Sequence, residues 1–308
     1  LKRYSSHITA IVTVADDGGS SGVLRRELGV LPPGDIRNCL AALSTEEPLL
    51  TRLFQYRFAA GSGLEGHSFG NLFLSALSAI TGNLETAITA SSRVLAVQGQ
   101  VVPATNVDVQ LWAELENGQR IEGESNIGHA PSPIVRLGCS PERPPALPRA
   151  LEAIANADLI VLGPGSLYTS LLPNLLVPEL VGAIKRSKAP RLYICNLMTQ
   201  PGETDGLDVR GHIRAIEAQL ATLGIEPRLF NAVLAQDDLP ESDLVRYYQS
   251  RGADPVRCDA EGLRSDGYDV TQAPLQGVRP TATLRHDSRS LALAVMRFYR
   301  THRRERDQ

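Results

Sequence analysis

The stretch that decides the fold is Ile11 to Gly22, IVTVADDGGSSG, in which an apolar run ends abruptly in carboxylates, glycines and hydroxyls. The run from Ile8 to Ala15 is rich in β-branched residues, as in a strand that is buried on both faces. The glycines after it let backbone N–H groups approach a ligand, and a carboxylate there can hold a divalent cation, a ribose hydroxyl or an amine. The alternative is a solvated turn in which Ser20 or Ser21 caps the next helix. The candidate ligand-binding residues of this first loop are Asp16, Asp17, Gly18 and Gly19, of which the two carboxylates are also the candidate metal ligands and catalytic groups.

The composition is that of an ordinary globular protein. The 308 residues are 43% hydrophobic and 21% charged, so the chain can bury a substantial core. The net charge is only -3, which gives no reason to expect a nucleic acid as partner. No apolar stretch approaches the ~20 residues that a membrane span requires. The four cysteines lie far apart without a Cys-x-x-Cys pair, which favours thiols of a reducing cytoplasm over a zinc site or disulfides.

Further along the chain, short apolar runs alternate with helical patterns. Asp158 to Leu162 and Arg191 to Cys195 are typical of buried strands. Three apolar stripes at helical spacing accompany them. These stripes are Phe73, Ala76, Leu77 and Ile80; Ile213, Ile216, Leu220 and Leu223; and Leu291, Ala294, Val295 and Phe298. Strands that alternate with helices predict an α/β fold with a mostly parallel sheet.

The middle of the chain follows a different pattern. From Val101 to Leu137 polar and apolar residues alternate, and Asn117-Gly118 separates two extended segments. An Asn-Gly pair between such segments indicates a β-hairpin. We therefore expect a single α/β domain over residues 1–308, with a small antiparallel β insertion at about 101–137.

A second loop follows the strand that ends at Leu162. The sequence runs into Gly-Pro-Gly-Ser and then a short helical pattern, which is the arrangement of a phosphate-cradling loop but not a Walker motif, because no Gly-Lys-Ser/Thr follows. The alternative is a tight turn that needs glycine for geometry alone. The candidate ligand-binding residues here are Gly163, Pro164, Gly165, Ser166, Tyr168 and Asn174.

Three more segments carry side chains suited to a ligand. The carboxyl ends of parallel strands share one edge of a sheet, so we expect these segments to meet the first two loops there. Asp35 can instead simply cap a helix, and His67 can be a hydrogen-bonded structural residue. The candidate residues are Asp35, Arg37 and Asn38, then His67, Ser68 and Asn71, and finally Asn196 and Thr199.

Four segments together resemble a known family. They are TVADDGGSSGVLRRELGVLPPGDIRNCLAAL from Thr13, GHSFGNL from Gly66, VLGPGSLYTSLLPNLLVP from Val161 and CNLMTQPGETDG from Cys195. They are similar to the bacterial gluconeogenesis-factor family (YvcK-like), within the superfamily of 2-phospho-L-lactate transferase (CofD-like). The resemblance implies a Rossmann-like sheet with helices on both faces and a cytoplasmic location. It also implies that a strand and a GGGTG-type glycine loop precede Leu1.

The resemblance implies a function as well. It implies binding of a nucleotide sugar, typically UDP-N-acetylglucosamine, and a regulatory role in cell shape and peptidoglycan precursor supply during growth on gluconeogenic carbon. A CofD-like transfer of a phospholactyl-type group from a nucleotide diphosphate donor is the alternative, and it would make the protein an enzyme. A third hypothesis is that the protein binds an NAD-type dinucleotide, although these residues contain no GxGxxG. The only cofactor we expect is Mg²⁺ held with a diphosphate, and the frequency of symmetric oligomers makes a homodimer the default.

The C-terminal segment supplies one more candidate. The stripe from Leu291 to Phe298 predicts a closing helix, with Asp287 or Ser288 as its N-cap. Arg285 lies just ahead of that helix, in an Arg-His-Asp sequence that also occurs in the gluconeogenesis-factor branch. We expect Arg285 to turn toward the strand-end cleft and contact the ligand diphosphate.

Overall fold

A computed structural model describes residues 1–45, 48–278 and 284–306 of the chain. The strands are β1 (Thr9–Val12), β2 (Gln100–Pro103), β3 (Gln110–Leu115), β4 (Arg120–Glu122), β5 (Ile134–Ser140), β6 (Ile160–Leu162), β7 (Arg191–Ile194), β8 (Ala232–Gln236), β9 (Asp269–Ala273), β10 (Gln276–Val278) and β11 (Leu284–His286). The helices are α1 (Gly19–Leu28), α2 (Gly34–Leu43), α3 (Pro48–Phe54), α4 (Phe69–Thr81), α5 (Leu84–Val94), α6 (Glu124–Ile127), α7 (Pro148–Ala155), α8 (Leu172–Leu175), α9 (Pro178–Arg186), α10 (Val209–Thr222), α11 (Ser242–Gln249), α12 (Ala260–Ser265) and α13 (Ser288–Arg306). A π-helical turn at Leu167–Leu171 precedes α8.

Parallel strands form the framework. β1 pairs with β2, with Thr9 opposite Gln100, and β6, β7, β8 and β9 form a second parallel sheet in that order. The three apolar runs of the sequence correspond to β1, β6 and β7, each shorter than its run. The prediction of a mostly parallel α/β fold is confirmed.

Helices cover both faces of the four-stranded sheet. Along β7, Leu192 and Ile194 belong to one apolar cluster, which includes Phe298 of α13. Tyr193 lies on the opposite face, in a cluster that includes Ile213 of α10. Successive side chains of a strand point to opposite faces, so this alternation shows that the sheet is a central layer between helices. The apolar stripes predicted for α10 and α13 face these clusters, as expected.

The middle segment forms a three-stranded antiparallel sheet in the order β4, β3, β5. Asn117 and Gly118 lie in the β3–β4 turn, as the sequence predicts, with Gly118 at φ 82°. The antiparallel part begins at Gln110, later than expected, because the extended segment at Val101 pairs in parallel with β1. An apolar extended segment does not reveal its partner strand, so the sequence pattern could not place this boundary.

One edge of the antiparallel sheet is closed by a side chain. Gln219 of α10 is buried, and its amide receives a hydrogen bond from Leu137 N (3.0 Å) and donates one to Leu137 O (2.8 Å). The amide thus takes the place of a neighbouring strand on β5. Covering an edge in this way prevents it from pairing with another chain.

The prediction for the buried face of α4 is wrong. The expected stripe was Phe73, Ala76, Leu77 and Ile80, but Ala76 and Ile80 are exposed and the other two are half-buried. The buried positions are Gly70, Asn71, Leu74 and Ser75. This helix therefore packs inward through Leu74 together with small and polar residues, and of the predicted stripe Phe73 contacts the apolar cluster whereas Ala76 and Ile80 lie outward.

Within the described residues, no single helix is both long and apolar enough to span a membrane. The segments Leu167–Leu175 and Pro178–Arg186 meet the length and composition criteria only together, as a pair bent by 75°.

Candidate functional site

The loop after β1 brings Asp16 against the start of α2. Its Oδ1 accepts a hydrogen bond from Gly18 N (2.9 Å), which fixes the turn into α1. Its Oδ2 lies so close to Gly34 that a Cβ at that position would be only 2.1 Å away. Glycine at position 34 is therefore what lets the Asp16 carboxylate lie at this helix start.

Asp17 has a different set of partners. Its carboxylate accepts hydrogen bonds from Glu124 N (2.9 Å), Ser125 N (2.9 Å) and Ser125 Oγ (2.6 Å). These donors form the first turn of α6, so Asp17 satisfies the amides that a helix start leaves without acceptors. Both aspartates were candidate ligands, and the structure gives Asp17 a contact across the fold and places Asp16 at the start of α2.

The helix α6, which Asp17 contacts, also brings Glu124 to the site. Burial raises the pKa of Glu124 to about 7, assisted by the nearby carboxylates of Asp16, Asp17, Asp35 and Glu203. The pKa of Asp35 rises to about 6 for the same reasons, burial first and then Asp16, while Arg37 opposes the shift. In the described part of the chain no hydrogen-bond donor reaches the carboxylate of Glu124 or Asp35. Asp35 therefore does not cap α2, and burial together with mutual repulsion favours the protonated form of Asp35 and Glu124 in this cluster.

A buried polar network lies behind the start of α1. Ser20 Oγ is 3.0 Å from His67 Nδ1, and Ser21 Oγ receives a hydrogen bond from Asn71 Nδ2 (3.2 Å). Ser68 is the N-cap of α4, because its Oγ accepts from Asn71 N. The network ties the α1 start to the α4 start, so the sequence-predicted residues His67, Ser68 and Asn71 are brought together with the first loop.

Arg37 contacts the polar network directly, and Asn38 contacts Arg37. Arg37 donates to Ser68 Oγ (2.6 Å) and to Asn38 Oδ1 (2.8 Å), and its Nε is buried without a partner among the described residues. Burial lowers the pKa of Arg37, and the nearby Arg57 adds to this shift. The guanidinium thus supports the polar network behind the cleft.

The second and third loops are joined by one amide. Asn196 Nδ2 donates to Gly165 O (2.8 Å), and Asn196 Oδ1 accepts from Gly165 N (3.3 Å). Ser166 Oγ donates to Gln200 Oε1 (2.8 Å) beside them. Gly163 has φ 82°, and a Cβ there would lie 2.7 Å from Ile194 O, so the loop leaves the end of β6 in a conformation that suits glycine. The loop that contains Pro164 is therefore held from the end of the neighbouring strand.

The helical turn after this loop already binds a carboxyl group of the protein itself, that of Glu203. The Glu203 carboxylate accepts hydrogen bonds from Tyr168 N (3.0 Å), Thr169 Oγ1 (3.0 Å) and Gln200 Nε2. Burial raises the pKa of Glu203, and the hydrogen bonds from Tyr168 and Thr169 oppose that rise. The amides that were expected to cradle a phosphate are occupied by a side chain of the protein.

Three other expected ligand contacts face the protein interior. The Tyr168 hydroxyl donates to Ile134 O (3.2 Å), and Thr199 exchanges hydrogen bonds with the backbone of Asp254. Asn174 Nδ2 donates to Ser170 O, and its buried Oδ1 has no partner in the described ranges. These residues shape the loops rather than line the cleft.

Arg285 is not brought to the cleft. Arg285 is exposed in β11. Its neighbours in the strand are Leu284, which is buried, and His286, which is half-buried and whose Nε2 lies 3.2 Å from Cys195 O at the end of β7. Alternation along the strand therefore points Arg285 away from the parallel sheet. His286 approaches the strand end instead, and burial lowers its pKa. Asp287 does cap α13, as predicted, because its Oδ1 accepts from Ser290 N (2.7 Å).

The short helix α6 connects the two parts of the site. Its first turn is held by Asp17, and a Cβ on Gly128 at its end would lie 3.8 Å from Glu203 Oε1. Glu203 in turn holds the loop of Gly165 through Tyr168. Sequence reasoning missed Glu124 and Ser125, and the signal available was the polar Gly-Glu-Ser-Asn run that interrupts the alternating pattern at 123–126.

Known proteins resemble this chain over most of its length. The family model described as "2-phospho-L-lactate transferase CofD" matches residues 1–276. The chain belongs to this family. A putative gluconeogenesis factor from Nostoc sp. is 58% identical over 97% of the chain and 65% of its own length, so the chain spans about two thirds of that relative. The gluconeogenesis factor of Bacillus subtilis is 46% identical over 95% of the chain and 90% of its own length.

A solved structure of the same family has the same fold. The crystal structure of a UPF0052 family member from Bacillus halodurans superimposes with a TM-score of 0.88 at 45% identity. It covers 94% of this chain and 92% of its own. The CofD family relationship and the α/β architecture are thus supported by sequence and by structure.

The acidic cluster has the donor chemistry for a hard cation. Within the residues described, no group of three or more His, Cys, Asp or Glu side chains is arranged to hold a metal ion. Mg²⁺ is usually held by one or two carboxylates together with substrate phosphates, so a preformed cage is not required. The oxygens of Asp16 and Asp35 fit that requirement. Asp17 is engaged more fully than Asp16, because its two oxygens together accept three hydrogen bonds from α6.

Proposed function

We propose that the chain binds a nucleotide sugar of the UDP-N-acetylglucosamine type at the carboxyl ends of β1, β6 and β7, and acts as a gluconeogenesis factor. In this role it regulates carbon flux to peptidoglycan precursors and cell shape in the cytoplasm. The relatives named gluconeogenesis factor, which match nearly the whole chain, support the cellular role.

One observation carries the ligand class. Asp16 and Glu124 lie at the start of α1, since a Cβ on Gly18 would be 3.5 Å from Asp16 Oδ1 and 3.9 Å from Glu124 Oε2, and Asp35 is near enough to raise the pKa of Glu124. The backbone N–H groups of the first turn of α1 have no intrahelical acceptors. Amides alone favour an anion, and carboxylates alone favour a cation. A diphosphate with Mg²⁺ satisfies both requirements at once. A neutral metabolite would satisfy neither requirement.

The remaining residues have distinct tasks in this proposal. The N–H groups of Gly19 and of the residues after it in the first turn of α1 bind the diphosphate, while Gly18 N is held by Asp16, and Ser20, held by His67, supports the turn. The loop clamped by Asn196 presents Gly165 and Ser166 to the nucleoside or sugar. Mg²⁺, when bound, supplies charge neutralisation between the carboxylates and the phosphates.

Calorimetry with UDP-N-acetylglucosamine, GDP and NAD, each with and without Mg²⁺, tests the proposal. We expect the sugar nucleotide to bind most tightly, and we expect Mg²⁺ to strengthen binding. Asp16→Asn should remove the Mg²⁺ dependence, whereas Asp158→Asn, an exposed carboxylate at the other end of β6, should not. Binding of NAD but not of the sugar nucleotide would contradict the assignment.

A CofD-like transferase is the second candidate, and the family match over residues 1–276 favours it. In that case Asp16 would act in the transfer of a phosphorus-containing group from a nucleotide diphosphate donor. Phosphorus NMR of the protein with donor, acceptor and Mg²⁺ would show release of the nucleotide. Binding without any release supports the regulatory role instead.

A further inference from the structure

A cavity lies beside the four-stranded sheet, and none of the candidate site residues lines it. It is formed by one face of α10, by α12 and by the segments that precede β8 and β9, and its volume is about 160 Å³. We call it the α10–α12 cavity. Arg210, Ile213, Arg214 and Glu217 recur at helical spacing, so they share one face of α10. The lining side chains that carry a charge or a hydroxyl group are Arg210, Arg214, Glu217, Arg228, Asp266 and Tyr268.

The inner wall of the cavity is apolar. Ile213 and Leu263 line it, and both are buried, with exposed fractions of 2% and 0%. A cavity of about 150 Å³ in another protein holds benzene, so this one has room for about six to eight non-hydrogen atoms. The α10–α12 cavity therefore suits a small group with a short apolar part, and it is too small for a whole nucleotide.

Arg210 is fixed in the wall of the cavity. Its Nη2 lies 3.2 Å from Asp266 Oδ2 and 3.6 Å from Asp259 Oδ2. The guanidinium can lie there because position 262 is glycine, where a Cβ would be 2.2 Å from Arg210 Nη2. The Nε of Arg210 is buried and has no acceptor among the described residues. Since a buried donor without a partner is unfavourable, an oxygen atom of a ligand in the cavity can supply the missing acceptor.

Two further arginines contribute positive charge without a carboxylate partner. Arg214 is exposed, and in the ranges that the structure describes its side chain takes part in no ion pair or hydrogen bond. Arg228 donates to Asp266 O (3.0 Å) and to Gly267 O, and its guanidinium lies 4.3 Å over the ring of Tyr268. These contacts hold Arg228 in place and leave its charge unpaired.

The two carboxylates of the lining do not offset these charges. Asp266 pairs with Arg210, and Glu217 Oε1 accepts a hydrogen bond from the Tyr268 hydroxyl (2.6 Å). Of the remaining charged groups, the two arginines outnumber the single carboxylate of Glu217. The lining thus has an excess of positive charge, which an anion would balance.

The arrangement of the donors favours a phosphate group over a carboxylate. The three guanidinium groups come from two successive turns of α10 and from the segment before β8. A carboxylate presents two oxygens in one plane, whereas a phosphate monoester presents three oxygens in a tetrahedral arrangement. Arginine binds both groups through charge-assisted hydrogen bonds, so the number of oxygens decides between them.

We propose that the α10–α12 cavity is a second ligand site, which binds the phosphate group of a small phosphorylated metabolite. Arg214 and Arg228 make the charged contacts, and Arg210 Nε donates a hydrogen bond. The first carbon atoms of the ligand lie against Ile213 and Leu263. The proposal does not depend on nucleotide-sugar binding, because the residues of the two sites are different.

Methyl NMR spectroscopy of the full chain, titrated with ethyl phosphate, tests the proposal. We expect the methyl signals of Ile213 and Leu263 to shift. Arg214→Gln should weaken binding about tenfold or more, because it removes a charge-assisted contact. Thermal unfolding of this variant should not change, since the side chain makes no polar contact within the described residues. Arg297→Gln, at an exposed position of α13 on the opposite face of the sheet, is the matched control and should bind as the wild type does.

Two competitors identify the chemistry of the ligand. Inorganic phosphate lacks the apolar part, so it should bind more weakly than ethyl phosphate but at the same place. Propionate has a carboxylate in place of the phosphate and should bind more weakly than either.

Three results would overturn the proposal. One is that the signals of Ile213 and Leu263 do not move at millimolar ethyl phosphate. Another is an affinity that Arg214→Gln leaves unchanged, because the anion would then be bound elsewhere. The third is that propionate binds as tightly as ethyl phosphate, because the cavity would then be a carboxylate site.

Discussion

Asp17 and Ser125 are 108 positions apart in the chain, yet both the backbone N–H and the hydroxyl of Ser125 donate to one carboxylate oxygen of Asp17. This contact joins the loop after β1 to the antiparallel sheet. It separates the roles of two adjacent aspartates, because Asp16 makes no such contact and faces the acidic cluster.

The first prediction follows from that separation. Asp17→Asn replaces an acceptor by an NH₂ group that faces N–H donors, so the free energy of unfolding should fall by about 1–3 kcal/mol. Asp16→Asn keeps its acceptor for Gly18 N and removes one repelling charge, so stability should change by no more than about 0.5 kcal/mol. Urea denaturation measures both. Equal losses in the two variants would show that the aspartates act as one unit.

The second prediction concerns pH. The pKa of Glu124 is 4.5 in an unperturbed chain and about 7 in the folded protein, so between these values the folded state retains a proton that the unfolded state has released. Glu124 therefore destabilises the fold increasingly as pH rises from about 4.5 to about 7. Glu124→Gln should raise the melting temperature at pH 8 and leave it unchanged at pH 4. Glu122→Gln, on the neighbouring strand, is the control. A difference that is the same at both pH values would show that Glu124 is not the titrating group.

The third prediction compares two glycines of one loop. Gly163→Ala should cost about 1–3 kcal/mol of stability, because its φ is 82° and the new Cβ would meet Ile194 O. A Cβ on Gly165 would make only ordinary contacts, 3.5 Å or more from Ser170 and Leu171. Gly165→Ala should therefore fold normally and weaken nucleotide-sugar binding, as measured by calorimetry. Unchanged affinity in this variant would remove the loop from the binding site.

The fourth prediction concerns the amide that closes the edge of β5. Gln219→Leu leaves both Leu137 N and Leu137 O buried without partners, at about 1–3 kcal/mol for each group. Ala218→Leu, at the exposed neighbouring position of α10, keeps the closure and is the comparison. Hydrogen exchange of the Leu137 amide should accelerate only in the Gln219 variant. Slow exchange there would mean that water or another group replaces the side chain.

Much of the fold was predictable because apolar strand runs and the Asn-Gly turn are local signals. The α4 stripe shows the limit of such signals. Periodicity identified a helix, but it assigned the wrong buried side, since α4 packs partly against polar side chains and only through Leu74 and Phe73 against an apolar cluster. Ser20, Ser21 and Arg37 provide that surface, and their assembly depends on tertiary contacts that hydropathy does not encode.

The candidate site was predictable to a similar extent. Of the three loops that were expected to meet, the loops after β6 and β7 are in direct contact, because Asn196 holds Gly165. The sequence did not show that Glu203 occupies the amide of Tyr168, because an internal carboxylate and an external phosphate use the same donors. It also could not show the register that pairs Gly277 with Arg285 and so turns the arginine away from the sheet.

The position of α6 has a consequence for ligand size. This four-residue helix lies between Asp17 and Glu203, so it acts as a spacer between the glycines that start α1 and the loop of Gly165. If the proposed ligand bridges these two loops, the distance it must span depends on the antiparallel insertion as well as on the parallel strands. A substitution that lengthens or tilts α6 would change which ligand length fits while leaving every proposed ligand contact in place. Relatives with a different insertion could in this way accept a longer or shorter nucleotide on the same framework.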